Sequence, residues 1–283
     1  MDRKTFIKNS LAAAALGITS QASAKDGNAS FLKPVGFNHL PSKTEITMNT
    51  VLHKANTCGH ANHGWLDTNH TFSFAHYYDP NRIHFGALRV LNDDFVEGGM
   101  GFGTHPHDNM EIISIPLSGD LKHRDSMGNE AIIKQGDIQV MSAGTGISHS
   151  EMNANRDKEV KFLQIWVFPN QKNVQPRYDQ ISMDESKMKN NFLQVLSPDK
   201  NDEGVWIHQH AWFSIGIIDK DTSINYQLKD KNNGVYAFVL EGTVSINNEA
   251  LEKRDGLGIT ETDGFTVTAT DNAKVLLMEV PMK

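Results

Sequence analysis

The chain is poor in cysteine: among 283 residues there is one, Cys58. A lone thiol excludes an intrachain disulfide framework and any metal cluster built from several cysteines. There is no basic stripe either. Lysine and arginine number 27 against 34 aspartates and glutamates, a formal net charge of −7, and the charges are interspersed rather than blocked. Such a chain has no electrostatic footprint for a phosphate backbone, so no nucleic-acid partner is expected. A mildly acidic surface also disfavours anionic membranes. The apolar run Leu11 to Ile18 is too short to span a bilayer, so no membrane anchor is expected. Sustained helical periodicity is missing as well. What is present is an ordinary globular composition and a length that suits one large domain or two medium ones with a sizeable core.

The short apolar run lies in a segment with the form of an export signal. Arg3, Lys4 and Lys8 make a positive n-region, and Ala22-Ser23-Ala24 is a small-residue cleavage site. Arg3-Lys4-Thr5-Phe6-Ile7-Lys8 resembles a twin-arginine signal with lysine in place of the second arginine. Residues 1–24 are therefore expected to be a cleaved signal peptide and the mature protein to be periplasmic. If the signal is not functional, the protein stays in the cytoplasm.

Past residue 45 the pattern is short strands and turns. Turn signals recur at Ser118-Gly119-Asp120, Met127-Gly128-Asn129, Gln135-Gly136-Asp137 and Gly144-Thr145-Gly146. Between them lie strand-like runs such as Ile112 to Leu117 and Ile138 to Met141. This spacing predicts an all-β barrel or sandwich. One short helix is expected near Asp184 to Asn190. A second unit begins near Asn191 and repeats the first. Val235 to Gly242 echoes Ile112 to Gly119, and Asp255 to Ile259 echoes Gly136 to Val140. The expected division is 45–190 for a metal-binding domain and 191–283 for a degenerate copy without metal.

The chemistry concentrates in two runs, Gly103-Thr104-His105-Pro106-His107 and Gly146-Ile147-Ser148-His149-Ser150-Glu151. Each holds two potential ligands two residues apart, and on a strand such residues share a face. Three imidazoles and a carboxylate suit iron, copper, nickel or zinc. Four protein ligands of this kind can leave coordination positions open for chemistry. Glu111 shares the strand parity of 105 and 107, so it stays an alternative to Glu151 as fourth ligand.

Gly99-x5-His105-x-His107-x3-Glu111-x7-Gly119 resembles the first cupin motif, and Gly136-x12-His149-x3-Asn153 resembles the second, with Ser142 where proline is usual. His105-Pro106-His107, the run Gln139 to Ile147, His149-Ser150-Glu151, Gly59 to Leu66 and His70 to Phe74 are similar to the pirin family, as are Tyr77 to Pro80 and Leu88 to Asp94. The similarity covers about residues 50–283 and is nearest to bacterial pirin-like quercetin 2,3-dioxygenases. It implies a bicupin, two double-stranded β-helix (jelly-roll) barrels, with one metal in the first. By position it implies His105, His107, His149 and Glu151 as ligands, with Glu151 also as catalytic base. Glu111 would then orient a ligand imidazole. Fe2+ is the expected ion, with Ni2+, Cu2+, Mn2+ and Zn2+ as alternatives.

The resemblance implies a quercetinase: the flavonol ring is cleaved with O2 and carbon monoxide is released. The alternatives are a metal- or redox-sensing binding protein and a dioxygenase of another phenolic substrate. The remaining histidines are read as structural. His60, His63 and His70 are expected to pack around the barrel mouth, and His208-Gln209-His210 to lie on an ordinary strand of the second barrel. Trp65, Phe72, Phe74 and Phe102 are expected in the core, with Phe102 near enough to line the pocket.

Overall fold

The computed structural model describes residues 48–283. The expected export signal, residues 1–24, lies outside them. No helix among the described residues is long and apolar enough to cross a membrane.

The residues form two β-barrels, each a seven-stranded sheet closed by a four-stranded one. In the first barrel the strand Glu111–Ser118 lies between Asp137–Ser142 and Val160–Val167. Beyond the latter come Leu88–Val96, Leu66–His70 and Gly59–Asn62. The four-stranded sheet runs Gly101–His107, Ile147–Asn153, Leu121–Asp125, Glu130–Ile133. The second barrel repeats this plan around Asn233–Glu241 and Ala273–Pro281, with its four-stranded sheet starting at Ser223–Gln227 and Gly264–Ala269.

Burial explains the two sequence patterns. Glu111–Ser118 reads as a continuous apolar run because both of its faces are covered. One face looks into its own barrel, and the other packs on the neighbouring barrel. There Ile113, Val140 and Ile165 join Ile215, Phe238 and Met278 in one buried cluster. Ile147–Asn153 instead alternates buried and half-buried residues, since only one of its faces looks inward.

Four expectations change. The helix near 184–190 is a single 3-10 turn, Glu185–Met188, whose start is capped by Asp184 accepting from the Ser186 N–H; with so few residues it cannot propagate as an α-helix. His208-Gln209-His210 is not a strand. Pairing stops at Trp206, and the chain turns tightly with Ala211 N–H donating to the Gln209 carbonyl. Asn49–His53, inside the expected 45–190 unit, pairs with Gly256–Thr260 of the second barrel. There it covers a sheet edge that would otherwise expose unpaired backbone groups, as Arg177–Ser182 does on the first barrel. The internal echo is also displaced by one residue at its second half. Asp137 accepts from Lys134 N–H and Asp255 from Glu252 N–H, and Gly136 and Arg254 both have positive φ. Asp137 therefore corresponds to Asp255.

Candidate metal centre

Gly101–His107 and Ile147–Asn153 are neighbours in the four-stranded sheet, and their register sets His149 directly opposite His105. The ring centroids of His105, His107 and His149 are 4.5 to 4.9 Å apart. Each ring offers one nitrogen such that the three nitrogens lie within 4.8 Å of one another. The strands approach so closely that a Cβ on Gly101 would collide with the Glu151 carbonyl and Met152. Glycine is required there by space alone.

The protonation pattern suits a cation. His105 Nδ1 lies 2.8 Å from the Gly103 carbonyl, which can only accept, so the ring proton sits on Nδ1 and the Nε2 lone pair is free. His107 Nε2 and both nitrogens of His149 are buried and have no hydrogen-bond partner among the described residues. Burial, reinforced by mutual repulsion with the neighbouring imidazoles, lowers the His149 pKa to about 2; burial also lowers that of His107 to about 4. Both rings are thus neutral at physiological pH and present lone pairs. Buried polar atoms without partners are uncommon and call for an explanation. A divalent ion among these nitrogens is a chemically fitting one.

A bulge between His149 and Glu151 changes the pairing, so Glu151 faces Phe102 on one side and His123 on the other. Glu151 is 2% exposed. Its Oε1 accepts from Ser114 Oγ at 2.8 Å and its Oε2 from Gln164 Nε2 at 2.6 Å. Burial raises its pKa. Glu151 belongs to a second group of donors, His123, His149 and Glu151, also mutually within 4.8 Å. His149 is the member common to both groups.

Glu111 is in neither group. Asn109, with φ of 46°, turns the chain between His107 and Glu111, so the parity that linked 105 to 111 is broken and Glu111 starts a strand of the other sheet. It accepts from Ser142 Oγ at 2.7 Å. Burial pushes its pKa up to about 7.

His123 was missed by reading motifs. It belongs to no histidine pair, and its signal is only the inward parity of Leu121, His123 and Asp125 on a strand.

Beside the centre lies a cavity of about 400 Å³ that reaches His105 and Glu151. Phe74, Phe102 and Trp166 supply flat apolar walls. Its mouth carries His60 and His63, and His70 lines it too, as expected. A row of polar side chains crosses the sheet beneath it. His70 pairs with Asn92, Asn92 with Gln164, Gln164 with Ser114, and Ser114 with Gln139. In the next row Asp94 accepts from Thr68, and burial raises its pKa to about 7.

A pirin model matches residues 51–167, and a model of the quercetinase C-terminal cupin domain matches residues 194–280. The chain is 44% identical over 230 residues to a quercetin 2,3-dioxygenase of Escherichia coli strain K12, covering 81% of this chain and 98% of that one. It is 36% identical over 222 residues to a pirin-like protein of Caulobacter vibrioides, covering 78% and 95%. Among solved structures it is similar to YhhW from Escherichia coli, with a TM-score of 0.79, 43% identity and 82% and 98% of the two chains covered. A nickel(II) complex of the bacterial pirin YhhW aligns with a TM-score of 0.78 and 42% identity over 82% and 99% of the chains.

Proposed function

This chain belongs to the pirin family, and we propose that it is a metal-dependent dioxygenase that opens the ring of a flavonol such as quercetin with O2, releasing carbon monoxide. One observation carries the reading: unpartnered imidazole nitrogens converge beside an aromatic cavity of suitable size. His105, His107, His149 and Glu151 would hold a divalent ion, Fe2+ first and Ni2+, Cu2+, Mn2+ or Zn2+ otherwise, which when bound supplies Lewis acidity for the flavonol 3-hydroxyl and a meeting point with O2. The nickel complex of YhhW supports a divalent ion without choosing among these.

The protein side of the reaction follows from the cavity. Phe74, Phe102 and Trp166 would hold the flat polyphenol and exclude water from it. Asn92 and His70, whose Oδ1 and Nδ1 have no partner among the described residues, would take up hydroxyl groups at the floor. Glu151, loosened from the ion, would accept the proton of the 3-hydroxyl on one oxygen while the hydrogen bond to its other oxygen keeps the carboxylate oriented. Burial raises its pKa, so once loosened from the ion it is a stronger base than a solvated glutamate.

The test is aerobic turnover of quercetin by metal-free protein reloaded with each ion in turn, with His105→Ala as control. The expected result is loss of flavonol absorbance with release of carbon monoxide, abolished by the substitution. Metal binding without turnover would reject this reading in favour of another phenolic substrate or a metal-sensing role. Export belongs to the same proposal: the periplasmic fraction should contain a chain that begins after Ala24, and recovery of the full chain from the cytoplasm alone would refute it.

A further inference from the structure

We propose that His123, His149 and Glu151 form a second, inner seat for the ion, sharing His149 and Glu151 with the outer seat, in which His105 and His107 complete the set. This rests on the metal reading of the centre. The three inner donor atoms are mutually within 4.8 Å. An ion about 2.0–2.2 Å from each donor requires separations of no more than about 4.4 Å, so small side-chain shifts complete the seat.

The tautomer of His123 is specified by its surroundings. Its Nε2 lies 3.2 Å from Asp125 Oδ2. Asp125 is itself pinned in a turn, accepting from the Met127 and Asn129 N–H groups and from Asn129 Nδ2. A carboxylate can only accept, so the His123 proton sits on Nε2 and a lone pair is left on Nδ1. That Nδ1 is buried and has no partner among the described residues. The ring is packed against Tyr178, with centroids 4.7 Å apart, so it keeps this orientation. His123 thus has the geometry of a ligand whose outer partner is already in place.

His149 has both nitrogens buried and unpartnered, and a neutral imidazole has one lone pair. The ion therefore occupies one seat at a time and the total is one equivalent. The seats differ in access. His123, His149 and Glu151 are all buried, whereas His105 and His107 are half-buried, and His105 lines the cavity. The outer seat opens on the cavity through His105, whereas the inner one meets it only at Glu151.

The experiment is Co2+ binding to the full chain, by equilibrium dialysis and visible absorption. Wild type should bind one equivalent. His105→Ala should still bind one equivalent, with a changed spectrum. Adding His123→Gln to His105→Ala should weaken binding by about 10- to 100-fold. His123→Asn is prepared alongside, and far-UV circular dichroism of the metal-free forms identifies any variant that fails to fold. The proposal is overturned if His105→Ala releases the ion as completely as His149→Ala, or if the folded double variant binds as tightly as His105→Ala. Wild type that binds no Co2+ would overturn the metal reading itself. None of these readouts depends on flavonol turnover.

Discussion

The two barrels share one topology and differ most where they correspond. Across the first barrel's main sheet, one row of inward positions reads Asn92, Gln164, Ser114, Gln139. In the second barrel the row in the same pairing order reads Ser214, Leu277, Ala237, Leu257. The second interior is a single apolar cluster that includes Val235, Val267 and Leu277. The first has two small clusters, separated by polar and ligating groups. On the smaller sheets the contrast recurs: His105 faces His149 in the first barrel, while Ile224 faces Val267 in the second. Buried polar groups without partners destabilise a fold. The lesson is a division of labour. The second barrel and the apolar face between the barrels supply stability, and the first barrel keeps a polar interior, part of which has no partner among the described residues.

The largest effect expected is on the centre. His149→Ala removes the one donor common to both groups, and metal affinity should fall at least about a hundredfold, measured by competition with a chelator. If the ion remains bound, the difference between the barrels is not about metal.

Leu257→Gln would give the second barrel the residue of the first at this position. Burying an amide without partners in a packed apolar interior should cost about 3 kcal/mol, read from denaturant unfolding of the metal-free protein. A change below about 1 kcal/mol would mean that the second interior is not the stabilising element inferred here.

A pH scan tests the strand that the second barrel takes from the start of the described chain. His53 is buried, its Nδ1 lies 2.8 Å from Tyr236 Oη, and burial lowers its pKa from 6.5 to about 4. The unfolded chain therefore takes up this proton first. Its contribution is complete above pH 6.5 and is lost as pH falls towards 4, by up to about 3 kcal/mol. His53→Gln should flatten the acid limb of the stability curve over that window. An unchanged slope would assign the acid loss to the other buried histidines.

The smallest effect is a gain. Gln139 is buried, and neither amide atom has a hydrogen-bond partner among the described residues. Gln139→Leu, which copies Leu257 into the first barrel, should stabilise the protein by about 1 kcal/mol, seen as a higher Tm. Loss of stability would show that the row is satisfied by ordered water.

Much of this comparison can be read from the chain. Period-two alternation and recurrent turns mark the strands, and Ser114 and Ala237 occupy matching places in the two echoing runs. The His105-Pro106-His107 and His149-Ser150-Glu151 runs mark the centre because ligand spacing on a strand is local. The polar row is not legible, since Asn92, Gln164, Ser114 and Gln139 look unremarkable in sequence and become a row only through pairing of distant strands. His123 is hard to read for the same reason: it meets Glu151 only through the pairing of distant strands.

The sequence by itself determined the strand pattern, the duplication, the two histidine runs and the family, because these depend on residue spacing within single elements. Tertiary structure decided the rest. A left-handed Asn109 separated Glu111 from the histidines, although strand parity had joined them. Strand pairing brought His123 opposite Glu151 and sent Asn49–His53 to the far barrel. Such outcomes depend on which distant backbones satisfy each other's hydrogen bonds, and that is settled only when the sheets close.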